Sequence, residues 1–257
     1  MTLARIDDKG DRLVVVNMNA KRRGAISPEL YAAIVEATKQ AEDPRIRAVI
    51  LTSEGGYFCA GGDLNVLIER RKLSEPERRE KIDGLHTMIR SIRNCPVPVI
   101  AAVEGGAAGA GASIALACDM IVASAGTQFI ASYVRAGLVP DGGLTSSLAK
   151  MLPRQLAMEM CLLARPVTAE RMAELGVVSE VVEAGQTDSA ADKIVDQLAK
   201  GPRVAQGVIR GLVASGYDNS EDTQLDLERD AMARAQVGDE ASEGISAFLE
   251  KRKAEFK

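Results

Sequence analysis

The chain has 257 residues, of which 46% are hydrophobic and 26% are charged, and its formal net charge is -4 at pH 7. That composition is typical of a globular protein with a full core, and the acidic balance argues against a surface for nucleic acid. Nowhere do about 18 apolar residues run together, and no charged segment followed by an apolar one opens the chain, so neither a membrane span nor an export signal is predicted. We expect a cytoplasmic protein without a nucleic-acid or membrane partner.

Metal and disulfide chemistry are not expected either. The four cysteines lie far apart without a CxxC motif, and the chain has a single histidine. A structural zinc site needs about four Cys or His ligands at characteristic spacings, and a disulfide framework needs closely spaced cysteines in a short secreted chain. The sequence therefore predicts no bound metal.

The first half of the chain alternates strand and helix patterns. Ser27, followed by Pro28 and Glu29, predicts the start of a helix that ends near residue 42, because Ser caps a helix, Pro fits its first turn and an acid favours its start. A charged segment, residues 69–81, leads into a second helix through residue 92. Apolar runs predict strands at residues 13–18, 47–52, 99–103, 120–124 and 128–130. This alternation predicts an α/β fold.

The rest of the chain is mainly helical in pattern. A short helix is expected at residues 113–118, and beyond residue 142 the only strand candidate is 177–182. Amphipathic patterns separated by glycines predict helices at residues 190–198, 202–215, 223–236 and 240–252. We divide the chain into a core, residues 1–195, and a C-terminal helical region, residues 196–257. Because such a region has little core of its own, we expect it to pack on other copies of the chain in a homo-oligomer.

Two glycine-rich corners each follow a strand pattern and lead into a helix pattern. The first corner, residues 58–64, reads Phe-Cys-Ala-Gly-Gly-Asp-Leu, and the second, residues 104–113, contains four glycines among small residues. Small side chains leave backbone N–H groups uncovered at such an edge. Two corners brought together would bind the oxygen of a polarised carbonyl, as enolate or tetrahedral chemistry requires. The alternative is that the glycines only allow close packing of strand against helix.

Five segments carry a family resemblance: residues 56–64, which include the first corner, and residues 98–105, 115–119, 137–143 and 247–252. Together they resemble the crotonase (enoyl-CoA hydratase/isomerase) superfamily over nearly the whole chain. The resemblance implies a crotonase-like spiral of ββα units, with C-terminal helices that help to form a homotrimer or hexamer. It also implies an acyl-CoA thioester as substrate, so that coenzyme A enters as part of the substrate and no separate cofactor is expected.

By this resemblance, the backbone N–H groups of Gly62 and Ala110 would form an oxyanion hole. A basic stretch between the first predicted strand and its helix would neutralise the CoA phosphates, unless it is only solvated surface. Part of the first glycine corner would contribute mainly backbone near the adenine. The residues expected to bind CoA are Lys21, Arg22, Arg23, Ala60, Asp63 and Leu64.

The two catalytic glutamates of the family's hydratases have no counterpart here, because the matching positions carry Ser113 and Tyr133. Hydration by two glutamates is therefore not expected. Asp141 matches the catalytic aspartate of isomerases in the family, including those that act on phenylacetate-pathway ring epoxides, and would move a proton between the α and γ carbons of an enoyl-CoA. Judged by the residues alone, Asp141 could equally cap the next helix.

His86 raises a second mechanism. Its position resembles that of a catalytic histidine in chlorobenzoyl-CoA dehalogenases, which have an aspartate in place of Asp141 and an aromatic residue in place of Tyr133. Asp141 would then be a nucleophile, and His86 would activate water for hydrolysis of the ester intermediate. The alternative for His86 is a surface or boundary residue that faces Arg90. The alternative for Tyr133 is a packing aromatic, which could line the acyl pocket.

The sequence thus predicts an enzyme that stabilises a thioester enolate for double-bond or ring isomerisation of an unsaturated acyl-CoA. Three alternatives stay open. The first is an enoyl-CoA hydratase with a non-standard base, and the second is an Asp- and His-dependent hydrolase or dehalogenase-like enzyme for an aromatic or ring-derived acyl-CoA. The third is a CoA- or RNA-binding relative that lacks catalysis.

Overall fold

Residues 2–256, which the computed structural model describes, form two β-sheets with α-helices packed around them. The strands are β1 Ala4–Asp8, β2 Arg12–Asn17, β3 Ala48–Ser53, β4 Val99–Val103, β5 Gly106–Ala108, β6 Met120–Ser124, β7 Gln128–Ile130, β8 Val167–Thr168 and β9 Glu180–Val182. The helices are α1 Pro28–Gln40, α2 Leu64–Arg70, α3 Glu75–Arg93, α4 Ala110–Ala115, α5 Leu144–Met151, α6 Arg154–Leu163, α7 Ala169–Glu174, α8 Thr187–Leu198, α9 Arg203–Gly216, α10 Glu221–Ala235 and α11 Asp239–Leu249. Two 3-10 turns span Ala20–Arg22 and Ser132–Ala136.

The larger sheet has the strand order β1-β2-β3-β4-β6-β9, and every pair except β1 with β2 is parallel. Helices cover both of its faces, which is why its inner strands are continuous apolar runs. Leu13 and Val15 of β2 belong to the main core with α1 and α3, whereas Val14 and Val16 belong to a second core with α8. Successive residues of the strand thus face opposite layers.

The smaller sheet has the order β5-β7-β8, with β5 and β7 parallel and β8 antiparallel to β7. The chain passes from the larger sheet to the smaller one twice, from β4 into β5 and from β6 into β7. Each passage ends in a helical segment, α4 in one case and the 3-10 turn Ser132–Ala136 in the other. The chain therefore repeats a ββα unit, and the predicted α/β fold class is confirmed.

Several local predictions are confirmed as well. The Ser27 side chain accepts a hydrogen bond from the Leu30 N–H at 3.2 Å, and α1 starts at Pro28 as predicted. The strands predicted at residues 99–103, 120–124 and 128–130 are present with those bounds. Alternation and capping rules succeed here because each signal is strong and local.

Three predicted elements need correction. The helix expected at residues 113–118 starts at Ala110, because Gly109 adopts φ +53° and ends the preceding strand. The sequence does not predict this start, since the small residues after Gly109 show no hydrophobic periodicity. Residues 177–182 form a strand only from Glu180, and β8 is a further strand beyond residue 142, too short at two residues to show alternation. The long helix α3 starts at Glu75 inside the charged segment, where Ser74 and Glu77 form a capping box.

The C-terminal helices attach to the core through two arginines of α9, Arg203 and Arg210. Arg203 donates to the backbone oxygens of Ala41, Asp43 and Ile46, at and beyond the end of α1, at 2.8 to 3.2 Å. α10 in turn packs on α9. The predicted boundary between residues 195 and 196 falls inside α8, which covers the larger sheet, and the division into two regions stays a prediction. No helix within residues 2–256 combines the length and apolar character needed to cross a bilayer.

Candidate active site

The two glycine-rich corners lie side by side in the structure. The Phe58 N–H donates to the Glu104 backbone oxygen at 2.8 Å, and the Cys59 N–H donates to the Gly106 oxygen at 3.3 Å. The Ala108 N–H returns a bond to the Cys59 oxygen at 2.9 Å. This short parallel ladder aligns the corners although some 45 residues separate them in sequence.

Glycine is required where the corners approach most closely. Gly61 has φ +91°, and a Cβ added there would lie 2.7 Å from the Ala108 oxygen and 3.2 Å from the Ala110 nitrogen. A Cβ on Gly111 would collide with the backbone oxygen of Cys59. The absence of side chains thus lets the first corner reach the backbone N–H group with which α4 begins.

Gly62 and Ala110, the two residues predicted to form an oxyanion hole, therefore lie on adjoining segments. Gly62 is exposed, whereas Ala110 is buried at the first position of α4. Among the hydrogen bonds within residues 2–256, neither N–H group donates to a protein acceptor. For Ala110 the reason is its position at the start of a helix, where an N–H group has no partner within its own helix. Both groups are therefore available to an external oxygen.

Ser113, Tyr133 and Asp141 form one polar cluster beside this pair. The Tyr133 hydroxyl donates to Asp141 Oδ1 at 2.7 Å, and the Ser113 hydroxyl donates to the Asp141 backbone oxygen at 3.0 Å. Ser113 Oγ lies 3.2 Å from Tyr133 Oη. The three residues come from α4, from the turn Ser132–Ala136 and from the loop before α5, so the fold brings three separate elements to one place.

The cluster adjoins the free N–H groups. A Cβ added to Gly109, the residue before Ala110, would lie 3.9 Å from two ring carbons of Tyr133 and 3.2 Å from Ser132 Oγ. A Cβ added to Gly142 would lie 2.9 Å from the Ser113 Cβ. The Asp141 carboxylate and the start of α4 thus border one small region of the molecule.

Burial keeps the Tyr133 phenol a hydrogen-bond donor. Loss of solvent raises the pKa of Tyr133 well above its ordinary value, and the negative charge of Asp141 raises it further. The phenol is therefore protonated across the neutral range, and its proton points at Asp141.

The alternative that the Asp141 side chain caps the next helix is wrong. The N-cap of α5 is Gly143, and no side chain within residues 2–256 caps that helix. Only the backbone oxygen of Asp141 takes part, by accepting from the Leu144 N–H at 3.2 Å. The Asp141 carboxylate instead accepts the hydrogen bond from the Tyr133 hydroxyl.

His86 lies on α3, with its side chain 35% exposed. Its Nδ1 is 3.8 Å from the Asp83 carboxylate, one turn earlier on the same helix. No hydrogen bond within residues 2–256 joins His86 to Asp141 or Tyr133. Its neighbour Leu85 is the residue of α3 that reaches the cluster, since its Cδ2 would lie 3.3 Å from a Cβ on Gly142. The predicted catalytic role of His86 stays a prediction.

The residues predicted to bind CoA lie close together. Arg22 forms an ion pair with Asp63, whose carboxylate also accepts from the Asn65 N–H at 2.9 Å and so caps α2. The Ala60 N–H donates to the Arg23 backbone oxygen at 2.9 Å. Lys21 precedes Arg22 in the sequence, Leu64 follows Asp63, and both are exposed. The turn Ala20–Arg22 and the start of α2 thus form one surface.

Sequence reasoning missed Tyr57 at this site and assigned no catalytic role to Glu104. The Arg23 guanidinium lies 4.1 Å from the centre of the Tyr57 ring, which holds it by a cation–π contact. Glu104 accepts from the Gly185 N–H at 3.0 Å and from the Thr187 hydroxyl at 3.2 Å, and thereby fixes the second corner to the start of α8. The position of Tyr57 directly before the first corner was the one available signal.

Comparison with known proteins establishes the class. The family model described as "Enoyl-CoA hydratase/isomerase" matches residues 8–257. The chain is 35% identical over 251 residues to "1,2-epoxyphenylacetyl-CoA isomerase" of Escherichia coli, covering 97% of this chain and 95% of that one. It is also 35% identical to a "Probable enoyl-CoA hydratase" of Rhodobacter capsulatus, covering 96% of this chain and 91% of that one.

A solved structure supports the same family. A crystal structure of an enoyl-CoA hydratase from Polaromonas sp. JS666 matches with a TM-score of 0.95 and 42% identity, covering 99% of both chains. The chain therefore belongs to the enoyl-CoA hydratase/isomerase family of enzymes, the crotonase superfamily. The predicted family, the α/β fold and enzymatic character are confirmed.

Proposed function

We propose that this enzyme isomerises an unsaturated acyl-CoA, with the N–H groups of Gly62 and Ala110 binding the thioester oxygen and Asp141 moving the proton. One observation carries the proposal. The Asp141 carboxylate accepts the Tyr133 hydroxyl, the Asp141 backbone oxygen accepts the Ser113 hydroxyl, and this aspartate borders a pair of backbone donors that have no protein acceptor within residues 2–256. The name of the Escherichia coli relative, an acyl-CoA isomerase, supports it.

The reaction needs only one acid–base group. The Asp141 carboxylate takes a proton from C2 of a 3-enoyl-CoA, and the electron pair of the broken C–H bond delocalises onto the thioester oxygen. The two N–H groups stabilise that oxygen, each contributing roughly 3 to 4 kcal/mol of barrier lowering. Asp141 then returns the proton to C4, and the double bond moves from C3–C4 to C2–C3.

Hydration is the second candidate, because other relatives are named as hydratases. Adding water across a double bond requires a group that activates the water and a group that delivers a proton to the neighbouring carbon. Ser113 and Tyr133 supply hydroxyls instead of carboxylates, and burial keeps the Tyr133 phenol protonated. Asp141 would have to perform both tasks, which favours isomerisation.

Coenzyme A would bind on the surface formed by the turn Ala20–Arg22 and the start of α2. Lys21 and Arg23 supply positive charge beside the exposed Leu64, and Tyr57 holds the Arg23 guanidinium in place. Asp63 already neutralises Arg22 in part. We expect Lys21 and Arg23 to contribute most to binding the phosphates, and Lys21→Gln to raise KM by a factor that shrinks as salt increases.

The C-terminal helices would mediate assembly into a trimer or hexamer. Val237 is 87% exposed, Phe248 83% and Leu249 74%. A soluble chain rarely leaves several large apolar side chains of one region in water, so these residues support burial against other copies. Light scattering coupled to size exclusion tests this, and a monomer at micromolar concentration would contradict it.

The test of the proposed reaction is Asp141→Asn with a 3-enoyl-CoA and with crotonyl-CoA. We expect kcat for double-bond migration to fall roughly 100-fold to 10,000-fold, with little change in KM, because only proton transfer is lost. Asp222→Asn is the matched control, since Asp222 lies exposed on α10 and no hydrogen bond within residues 2–256 joins it to Ser113, Tyr133 or Asp141. Full isomerase activity of Asp141→Asn would remove Asp141 from the mechanism.

A further inference from the structure

The two oxygens of the Asp141 carboxylate differ in their surroundings. Oδ1 accepts the Tyr133 hydroxyl at 2.7 Å. Oδ2 accepts no hydrogen bond from any group within residues 2–256. One oxygen is thus occupied by the protein, and the other is the only one left for a substrate or a water molecule.

The backbone that carries Asp141 is held as firmly as its side chain. Ser113, which is fully buried, donates to the Asp141 backbone oxygen at 3.0 Å. The next residue, Gly142, has φ +61° and lies against Ser113 and Leu85 so closely that a Cβ would require movement. Neither rotation of the loop nor an exchange of the two carboxylate oxygens is easy in this packing.

This arrangement bears on the choice between isomerisation and hydration. Isomerisation can use one oxygen throughout, because the proton taken from C2 is the proton given to C4. Hydration needs a water molecule positioned beside C3 and activated by a base, in addition to proton delivery to C2. A carboxylate with both oxygens free can hold that water on one of them, and a carboxylate with one oxygen occupied cannot do so while the other faces C2.

We propose that Tyr133 and Ser113 are positioning residues that direct the enzyme toward isomerisation and away from hydration: Tyr133 occupies Oδ1 of Asp141, and Ser113 holds the Asp141 backbone and lies against the Tyr133 hydroxyl. The inference rests on the proposed function, since it assigns to these residues the control of the proposed base. Tyr133 acts on the carboxylate itself, and Ser113 acts through Tyr133 and the Asp141 backbone. Neither residue needs to touch the reacting carbons.

The test is Tyr133→Phe, which removes one hydroxyl and keeps the ring. With a 3-enoyl-CoA in D2O, the wild-type enzyme is expected to give mostly the 2-enoyl product, with protium transferred from C2 to C4. The variant is expected to raise the ratio of 3-hydroxyacyl-CoA to 2-enoyl-CoA about tenfold, a loss typical of one hydrogen bond to a charged group. Deuterium at C4 is expected to rise as well, because water gains access to Oδ1.

Tyr217→Phe is the matched control. Tyr217 is 61% exposed at the end of α9, and the same substitution there should leave the product ratio and the deuterium content unchanged. Ser113→Ala is the second variant, and we expect a change in the same direction but smaller, since Tyr133 keeps its bond to Asp141. It also keeps the inference testable if Tyr133→Phe does not fold.

The outcomes separate this inference from the proposed function. If Asp141→Asn isomerises normally, the proposed function is wrong. If Asp141→Asn is inactive while both Tyr133→Phe and Ser113→Ala show the wild-type product ratio and isotope content, the proposed function stands and the positioning role is wrong.

Discussion

The candidate active site and the attachment of α9 to the core use polar groups in opposite ways. Arg210 of α9 is 9% exposed, and its guanidinium donates to the Asp119 carboxylate at 2.6 Å and to the backbone oxygens of Ile92, Arg93 and Cys95 at 2.6 to 2.8 Å. The carbonyl groups at the end of α3 thus gain partners from a distant helix. At the active site, by contrast, two backbone N–H groups and one carboxylate oxygen have no partner within residues 2–256.

The hydrogen bonds of Arg210 hold α9 on the core, whereas the unpaired groups at the active site are the ones that we propose to bind a ligand. Nearly all buried polar groups in folded proteins are hydrogen-bonded, because leaving one unpaired costs about 1 to 3 kcal/mol. Of the unpaired groups at the active site, the Ala110 N–H group belongs to a buried residue, so it is the one that a ligand is most expected to complete, whereas the Gly62 N–H group belongs to an exposed residue. The comparison predicts that changes at the two regions will affect different observables.

The largest effect is expected from Gly61→Ala. The added Cβ would meet the Ala108 oxygen at 2.7 Å and the Ala110 nitrogen at 3.2 Å, so it would displace the two N–H groups that we propose as the oxyanion hole. We expect kcat/KM to fall at least about 100-fold, the cost of losing one such donor. Gly10→Ala is the control, because Gly10 has φ +94°, close to the +91° of Gly61, and a Cβ there meets no atom of residues 2–256 within 4 Å.

The control separates strain from displacement of the donors. Both variants carry the cost of a positive φ for a residue with a side chain, and urea unfolding measures it. If the two variants lose the same activity, then the approach of the corners does not govern catalysis, and the comparison between the two regions fails.

The next effect concerns stability. Arg210→Met removes a buried charge and leaves the Asp119 carboxylate and three carbonyl groups short of a donor. We expect the free energy of unfolding to drop by about 3 kcal/mol, the range typical of a broken buried ion pair, with kcat of the folded fraction unchanged. Arg229→Met, at an ion-paired arginine that is 65% exposed, should change stability by less than about 1 kcal/mol. Equal losses for the two variants would contradict the role given to Arg210.

The smallest effect is a pH dependence in the C-terminal region. Hydrogen bonds from Arg252 and from the Glu255 N–H lower the pKa of Glu243 from 4.5 to about 2. A carboxyl group whose pKa is lower in the folded state adds stability above pH 4.5, and loses it as the pH falls through 2. Glu243→Gln should therefore flatten the acid side of the stability profile slightly, as thermal unfolding between pH 5 and pH 2 would show. An unchanged profile would mean that this contact is not formed in solution.

Much of the secondary structure was predicted from the sequence, because helix caps and apolar strand patterns depend only on neighbouring residues. The Ser27 cap and the apolar runs of β4 and β6 each act within a few residues, and the structure has them where they were predicted. The start of α4 was not readable, since small residues surround Gly109 on both sides and no hydrophobic period distinguishes strand from helix there.

For the candidate site, the sequence predicted which residues take part but not how they contact one another. Gly62, Ala110 and Asp141 stood out through the family resemblance, but the hydrogen bond from Tyr133 to Asp141 depends on a 3-10 turn and a loop whose relative placement no local pattern encodes. The contact of Arg210 with Asp119 spans 91 residues of sequence and has the same origin. Long-range polar contacts are set by packing, so they emerge only once the fold is known.

The central claim is that the N–H groups of Gly62 and Ala110 bind one thioester oxygen. A crystal structure of the enzyme with a non-hydrolysable enoyl-CoA analogue tests it most directly. We predict that the carbonyl oxygen of the analogue lies about 2.7 to 3.1 Å from both nitrogens, with C2 facing Asp141 Oδ2. An analogue whose carbonyl oxygen contacts neither nitrogen would contradict the account.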